Sequence, residues 1–234
     1  MGMEDRIAAL EWQNIRADLD TQGWAVVPLL TASECAELAA LYGDDERFRK
    51  QVIMERHGYG RGDYKYFAYP LPGLVASLRS ALYPHLAAIA NGWADALGIA
   101  TRFPSEHAAF LRRCHEAGQV RPTPLLLRYG VGDFNHLHQD LYGEYVFPLQ
   151  AAFLLSRPGE DFAGGEFVLT EQKPRMQSRV DVVPLRQGDA VIFAVNQRPA
   201  RGARGYYRAV MRHGVSRLRS GSRFTLGVIF HDAS

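Results

Sequence analysis

The sequence predicts an α+β protein in which a helical first half supports a β-sandwich or β-barrel in the second half. Apolar residues recur at helical spacing through much of residues 1–120, whereas short apolar runs separated by turn residues follow from residue 121 onward. The chain has 234 residues, of which 47% are hydrophobic and 22% charged, as is typical of a globular protein with one sizeable core. We therefore expect a single domain over residues 1–234, with a mainly helical support (1–120) and a β core (121–234).

The first half contains four helical patterns and one short strand. Thr31 and Glu34 form a capping box, which predicts that a helix begins there. The run Trp24–Pro28 follows a glycine and predicts a strand that ends at its proline. The predicted helices cover residues 4–19, 31 to about 42, 74–97 in one or two pieces that break or start near Pro84, and a segment that begins at Ser105.

Short apolar runs predict the strands of the second half. Gly, Pro, Asn or Asp separates most of them, as expected for turns between strands. The runs are Leu125–Tyr129, Gln150–Leu155, Glu166–Thr170, Val180–Leu185, Ala190–Phe193, Tyr207–Met211 and Arg223–Phe230. Strands of this length at near-regular spacing favour a sandwich or barrel, of which the double-stranded jelly roll is one form.

Several features argue against a membrane, secreted or cysteine-stabilised protein. The sequence has no run of about 18 or more uninterrupted apolar residues, which a membrane-spanning helix needs. Its first residues carry acids where a secretory signal needs a basic and then an apolar stretch. The two cysteines, Cys35 and Cys114, are too few for a disulfide framework or a cysteine-rich zinc site. We therefore expect a cytoplasmic protein with no membrane partner.

Positive charge is concentrated near the end of the chain. Between Ala190 and His231 there are eight arginines and no Asp, Glu or Lys, although the whole chain has a net charge of only +2. The basic stretch 198–223 could follow a phosphate backbone, and segment 56–69 mixes five aromatic residues with three basic ones. These two segments make nucleic acid a candidate partner, while the alternative for residues 56–69 is a lid that packs its rings over a cavity.

Three residues have the composition of a metal site. His138 and Asp140 are two residues apart, so their side chains point to the same side if the segment is extended. His213 follows the predicted strand Tyr207–Met211 and supplies a second imidazole. Two histidines and one carboxylate on one face of an octahedral metal leave three positions open, as in non-haem Fe(II) oxygenases.

A candidate anion site follows the third of these residues. Arg223 and Thr225 share a face at the start of the last predicted strand, and a guanidinium with a neighbouring hydroxyl suits a carboxylate. Tyr129 ends an earlier predicted strand and could offer its phenol to the same anion. The combination matches what an Fe(II) site needs to bind a dicarboxylic keto acid.

The sequence resembles the Fe(II)/2-oxoglutarate-dependent dioxygenase superfamily between residues 125 and 230. The matching motifs are Arg128-Tyr-Gly130, His138-Gln-Asp140, Gly164-Gly-Glu-Phe167, Gly188-Asp189, His213-Gly214 and Arg223-Phe-Thr225. The resemblance implies a double-stranded β-helix in which His138, Asp140 and His213 bind iron. It also implies that Arg223 and Thr225 hold the distal carboxylate of 2-oxoglutarate with help from Tyr129. The most similar group is a bacterial subfamily named for oxidative repair of alkylated nucleic acid.

The resemblance implies Fe(II), 2-oxoglutarate and O2 as cofactors, with ascorbate as an optional stimulant. The reaction would convert 2-oxoglutarate to succinate while a substrate C–H bond is hydroxylated or an N-methyl group is removed. Two substrate classes stay open. Alkylation-repair dioxygenases share an Arg-x-Asn-x-Thr-x-Arg signature, whereas this sequence offers an Arg and a Thr, Arg223 and Thr225, but neither the Asn nor the second Arg in register. The second class is a small-molecule or peptidyl substrate, as in prolyl-hydroxylase-type oxygenases. Those enzymes commonly use Lys where this sequence has Arg223.

A cupin-like metal-binding or sensor module is the alternative from another class. His136 and His138 form a His-x-His pair of the kind that cupins use, together with a nearby Glu. Glu144 lies six residues beyond His138, outside the usual offset, whereas Asp140 fits the oxygenase pattern. We therefore expect His136 to lie in the pocket or beside a ligand, and its substitution to have a modest effect.

Overall fold

The computed structural model describes residues 2–234, which form five α-helices, three short 3-10 helices and fifteen strands. The α-helices are α1 (Met3–Ala8), α2 (Trp12–Gln22), α3 (Ala32–Ala40), α4 (Gly73–Ala96) and α5 (His107–Glu116). The first eight strands are β1 (Trp24–Pro28), β2 (Phe48–Ile53), β3 (Gly60–Arg61), β4 (Asp63–Phe67), β5 (Leu125–Tyr129), β6 (Phe134–His138), β7 (Leu149–Leu154) and β8 (Phe162–Gly164). The others are β9 (Phe167–Gln172), β10 (Arg179–Val183), β11 (Asp189–Ala194), β12 (Gln197–Gly202), β13 (Gly205–Val215), β14 (Leu218–Gly221) and β15 (Arg223–Val228). None of the helices formed by residues 2–234 combines the length and apolar character needed to cross a membrane.

The helices follow the sequence patterns with two differences. Thr31 and Glu34 form the predicted capping box, in which the Glu34 amide donates to Thr31 Oγ1 and Thr31's amide donates to Glu34 Oε2. The pattern over 4–19 is divided between α1 and α2, which leaves a bend between them. Pro84 lies inside α4 without ending it, because buried residues on both sides hold the helix against the core despite the missing backbone donor.

The expectation of a mainly helical support over residues 1–120 is incomplete, because this half also contributes four strands. β4 pairs with β5 and β2 pairs with β4, so segment 48–67 extends a sheet of the second half. The sequence pattern did not predict β4, because polar residues interrupt its apolar positions. Lys65, in the middle of β4, is buried, forms an ion pair with Asp45 at 2.5 Å and donates to the Tyr42 carbonyl at 2.8 Å, so its charge has a partner.

Two antiparallel sheets form the jelly-roll core. The major sheet has the strand order β1-β11-β7-β15-β5-β4-β2, and the minor sheet has the order β10-β9-β13-β6-β3, with β12 paired to β13. β8 and β14 form a separate two-stranded ribbon. The double-stranded β-helix predicted from the sequence is confirmed.

Successive side chains of β15 point alternately to the hydrophobic core and to the candidate site. Leu226 and Val228 belong to the largest hydrophobic cluster, which also contains helical residues such as Leu19 and Leu82. Arg223 and Thr225 occupy the alternate positions and line a cavity between the two sheets. The helices thus cover the outer face of the major sheet, while its inner face carries the polar side chains of the candidate site.

Candidate active site

A cavity of about 460 Å³ lies between the inner faces of the two sheets. Its volume falls within the range of about 300–1,000 Å³ that is usual for small-molecule sites. Aromatic side chains form much of the wall, and Asp140 is the one carboxylate among the lining residues. The predicted site residues all line this cavity: His138, Asp140, His213, Arg223, Thr225 and Tyr129.

His138, Asp140 and His213 meet at one point of the cavity wall. Asp140 Oδ1 lies 3.6 Å from His138 Nε2, and Asp140 Oδ2 lies 3.4 Å from His213 Nε2. All three ligand atoms lie within 4.8 Å of one another, and these residues form the only such cluster of potential ligands in residues 2–234. Two imidazole nitrogens and one carboxylate oxygen could therefore hold a divalent metal ion.

Hydrogen bonding selects the nitrogen that His138 presents. His138 Nδ1 lies 2.7 Å from the main-chain oxygen of His136, and only a protonated Nδ1 can donate to a carbonyl. Nε2 is then the unprotonated nitrogen and faces Asp140, as a metal ligand requires. His136 contributes through its carbonyl, while its ring lines the cavity and packs edge-on against Phe134.

The other histidine is held by packing. The ring of His213 lies between Phe193, at a centroid distance of 4.6 Å, and Phe167, at 6.0 Å. Burial and the nearby His138 lower the pKa of His213, which favours its neutral form. A neutral imidazole is the form that binds a metal.

Asp140 stays ionised although it is buried. Burial alone would raise the pKa of Asp140, but the contacts of its carboxylate with the imidazoles of His213 and His138 outweigh this effect and hold the pKa well below its usual range. A hydrogen bond from the Tyr142 hydroxyl acts in the same direction. The carboxylate is therefore available as an anionic ligand.

Arg223 and Thr225 form a candidate anion site in the wall of the same cavity. Arg223 is 1% exposed and donates from one terminal nitrogen to Thr225 Oγ1 at 2.6 Å. Burial lowers the pKa of Arg223 to about 10, so the guanidinium keeps its charge at neutral pH. Within residues 2–234, its Nε has no hydrogen-bond partner and no carboxylate lies within ion-pair distance. A buried cation without an anion is a strong indication of a carboxylate ligand.

Tyr129 lies beside this cation. It is the register partner of Arg223 between β5 and β15, and the guanidinium carbon lies 5.5 Å from the centre of its ring. Burial raises the pKa of Tyr129 to about 12, so the phenol keeps its proton at neutral pH. It can therefore donate a hydrogen bond to an anion held by Arg223.

The structure divides the basic stretch 198–223 into buried and exposed residues. Arg198 is buried in an ion pair with Glu171, and it also donates to the carbonyls of Asp20 and Thr21 at the end of α2. Arg223 is the buried cation of the anion site. The remaining six arginines are exposed: Arg201, Arg204, Arg208, Arg212, Arg217 and Arg219.

Segment 56–69 is not one loop. Tyr64 and Tyr66 belong to β4 and line the cavity, whereas Phe67 is buried in the core. Tyr59 also lines the cavity and is 50% exposed, so it lies at the edge of the opening. Tyr69 instead donates to Asp232, near the end of the chain. The segment therefore supplies cavity wall and rim from strands of both sheets.

Two residues of the site were not found from the sequence. The Tyr142 hydroxyl donates to Asp140 Oδ1 at 2.7 Å, and nothing in the loop pattern singled it out. Gln150 lies on β7 with its Oε1 buried and, within residues 2–234, unpartnered. A polar residue inside an otherwise apolar strand was a usable signal for Gln150.

Comparisons with known proteins place this site in a family. The model of a family described as "Oxygenase, catalysing oxidative methylation of damaged DNA" matches residues 62–233. Uncharacterized protein Rv2227 of Mycobacterium tuberculosis (strain H37Rv) is 48% identical over 168 residues, which cover 72% of this chain and 72% of that protein.

Solved structures with the same fold are more distant in sequence. A prolyl-4-hydroxylase of Pseudomonas putida is 16% identical with a TM-score of 0.56, over 92% of this chain and 96% of that chain. An oxidoreductase of the 2OG-Fe(II) oxygenase family from Burkholderia pseudomallei is 16% identical with a TM-score of 0.55, over 97% of this chain and 93% of that chain. These likenesses support the jelly-roll fold.

The family match excludes a non-catalytic cupin-like module as the description of this chain, and His136 contributes no side-chain ligand to the cluster. The model covers well over half of the chain, and it includes every residue of the metal cluster and of the anion site. The chain is an oxidoreductase and belongs to this oxygenase family.

Proposed function

We propose that the protein is an Fe(II)- and 2-oxoglutarate-dependent dioxygenase. The observation that carries the proposal is one cavity with a His-Asp-His cluster at one point of its wall and an unpaired, buried arginine at another. His138, Asp140 and His213 would hold the iron, and Arg223 and Thr225 would hold the distal carboxylate of 2-oxoglutarate. When bound, iron supplies the oxidative chemistry, in which decarboxylation of 2-oxoglutarate to succinate accompanies oxidation of a substrate C–H bond.

The residues of the cavity fit both groups. Two nitrogens and one oxygen are the donor set of non-haem Fe(II) oxygenases. The unpartnered Nε of Arg223 shows that its guanidinium has donor capacity left for a ligand. The neutral Tyr129 phenol beside it can donate a further hydrogen bond to the same carboxylate.

The chain's own contribution is to position the reactants and to exclude water. Arg223 and Thr225 fix one end of the keto acid, which directs its other end toward the histidines. Phe167 and Phe193 pack against His213 and keep that part of the cavity apolar. Electrostatic contacts are stronger in such a water-poor site than at the surface.

We further propose alkylated nucleic acid as the substrate class. The family's description names damaged DNA. The residues that line the cavity include Tyr59, Tyr64 and Lys50, and aromatic faces together with a cation suit a base with its phosphate. In this reading an N-methyl group on the base is oxidised and leaves as formaldehyde.

A small-molecule or peptidyl substrate is the second candidate. The observation in its favour is that Arg223 is the only arginine among the residues that line the cavity. The six exposed arginines of the stretch 198–223 therefore do not contact a substrate inside the cavity, and a small polar compound would need none of them. Lys50 and Gln150 are the polar groups that would then select it.

An anaerobic titration tests the proposed cofactors. Fe(II) and then 2-oxoglutarate are added to the apo protein while the visible metal-to-ligand charge-transfer band is recorded. We expect the band in the wild type, its loss in Asp140→Ala and its weakening in Arg223→Ala, with Arg217→Ala as a matched control on an exposed arginine. Bound metal without a band in the wild type would refute the use of 2-oxoglutarate.

A release assay then separates the substrate classes. Succinate formation is measured with methylated oligonucleotides, the same oligonucleotides without methyl groups, and proline-containing peptides, each with and without ascorbate. Stimulation by the methylated strands alone supports nucleic acid repair. Stimulation by peptides or small compounds alone refutes it and favours the second candidate.

A further inference from the structure

We propose that Tyr142 is a positioning residue that restricts Asp140 to binding the metal through one oxygen. This inference rests on the proposed metal site. The Tyr142 hydroxyl donates to Asp140 Oδ1 at 2.7 Å, while Asp140 Oδ2 faces His213 Nε2 at 3.4 Å. Each oxygen of Asp140 faces one of the two histidines, but only Oδ1 accepts a hydrogen bond from a hydroxyl, which leaves Oδ2 as the freer oxygen for a metal.

The number of open metal positions gives this restriction its importance. In an octahedral site, two histidines and one carboxylate oxygen occupy three positions and leave three open. A carboxylate that binds through both oxygens would occupy a fourth position. Only two positions would then stay open. A chelating keto acid would fill both and leave no position for O2. A hydrogen bond to Oδ1 competes with a second metal–oxygen bond, and it therefore favours binding through Oδ2 alone, which keeps three positions open.

The phenol of Tyr142 is itself held from the other side. The Tyr66 hydroxyl on β4 lies 3.3 Å from the Tyr142 hydroxyl. Because the single Tyr142 proton goes to Asp140, Tyr66 is the donor in this second bond. The major sheet thus fixes the orientation of the hydroxyl that contacts Asp140.

A buried glutamine fixes the backbone of the same loop. Gln119 is fully buried, and its Nε2 donates to the Tyr142 carbonyl at 3.1 Å while its Oε1 accepts from the Tyr145 amide at 2.7 Å. Gly143 between them has φ of +88°, and a Cβ there would lie 2.3 Å from Gln119 Cδ. The loop therefore requires glycine at this position and is held in one conformation.

The test uses Co(II) binding under anaerobic conditions, because Co(II) accepts the same donor set and its visible spectrum reports coordination. Tyr142→Phe keeps the ring and removes only the hydroxyl. We expect its Co(II) affinity to fall by about 10–100-fold, as is typical when a partner of a metal ligand is removed. We also expect its Co(II) spectrum to change, both before and after 2-oxoglutarate is added.

Two matched variants accompany it. Tyr66→Phe removes the outer hydrogen bond and leaves the bond to Asp140 in place, so we expect a smaller effect in the same direction. Tyr145→Phe changes a phenol on the same loop whose backbone amide, and not its hydroxyl, meets Gln119. It should match the wild type in affinity and spectrum.

The outcomes separate the inference from the proposed function. A wild-type spectrum in Tyr142→Phe, with or without a loss of affinity, would overturn the positioning role. If Asp140→Ala binds Co(II) as well as the wild type does, the proposed metal site itself is wrong. Thermal unfolding of each variant confirms that a loss of binding does not reflect a loss of fold.

Discussion

His138 and His213 are register partners across β6 and β13, and the centroids of their rings lie 4.2 Å apart. A single pair of neighbouring strands therefore brings together ligands that lie far apart in the sequence. Asp140 follows β6 by two residues and closes the group. Because strand pairing in the minor sheet sets the positions of the two histidines, loss of one proposed ligand side chain should leave the fold intact.

Asp140→Ala should abolish turnover and lower Fe(II) affinity strongly. The substitution removes the one anionic ligand and leaves two neutral imidazoles. Glu144→Gln is the matched control, because Glu144 is an exposed acid on the same loop. Calorimetric titration with Fe(II) under argon, together with succinate release, measures both effects. Near-normal turnover in Asp140→Ala would show that another carboxylate is the ligand.

Arg223→Ala should weaken 2-oxoglutarate binding by about 2–5 kcal/mol, as is typical for loss of one partner of a buried charge pair. Metal binding should stay close to wild type, because Arg223 belongs to the anion site and not to the metal cluster. Titration of the charge-transfer band with 2-oxoglutarate gives the affinity directly. Lost iron binding with unchanged affinity for 2-oxoglutarate would instead show that Arg223 is structural.

His136→Ala should retain the metal and lower the reaction rate modestly. His138 is oriented by donating a hydrogen bond from Nδ1 to the main-chain oxygen of His136, which alanine keeps. The lost imidazole lines the cavity, so substrate binding can change while the iron site does not. Fe(II) titration and KM measurements on the same sample distinguish the two. Complete loss of iron would contradict this assignment and make His136 a ligand.

Asp232→Asn should destabilise the protein by about 3–5 kcal/mol. Asp232 is fully buried and pairs with the Arg79 guanidinium at 2.8 Å, so the variant leaves a buried cation without its partner. The control is Asp95→Asn, because the pair between Asp95 and Arg102 is exposed and should contribute less than about 1 kcal/mol. Urea unfolding gives both values, and equal losses would contradict the argument.

The same residue predicts how stability depends on pH. Burial alone would raise the pKa of Asp232, but Arg79 and hydrogen bonds from His115, Arg79 and Tyr69 hold it below the usual value. A lowered pKa in the folded state means that this stabilisation is complete above about pH 4, the unfolded value. It is lost as the pH falls through the folded pKa. The free energy of unfolding, measured between pH 3 and 7, should therefore fall less toward acid pH for Asp232→Asn than for the wild type.

The sequence predicted the metal cluster and the anion site because both depend on the alternation of strands. The spacing of His138 and Asp140, and of Arg223 and Thr225, places each pair on one side of an extended segment. In the structure all four side chains line one cavity. Local periodicity thus indicates which neighbours share a face, whereas the addition of His213 and the roles of these residues rested on the family resemblance, and the roles stay predictions.

Contacts between distant segments could not be predicted in this way. The strand β4 was not predicted because Lys65 is buried in its middle, and its contacts with Asp45 and Tyr42, which lie 20 and 23 positions away in the sequence, explain how the fold tolerates the charge. Gln119 holds the loop of Tyr142 from outside that segment, and no spacing rule connects the two positions. Tyr142 contacts a proposed metal ligand, and Gln119 holds the loop of Tyr142. No short-range sequence pattern predicts such indirect contacts, so the structure was needed to identify them.

The position of β15 has a consequence for biosynthesis. This strand is the last in the sequence, yet it lies between β7 and β5 near the centre of the major sheet. A nascent chain that still holds β15 inside the ribosome cannot join the two halves of that sheet. The same strand carries Arg223 and Thr225, so the growing polypeptide can form the proposed carboxylate site only after β15 has left the ribosome.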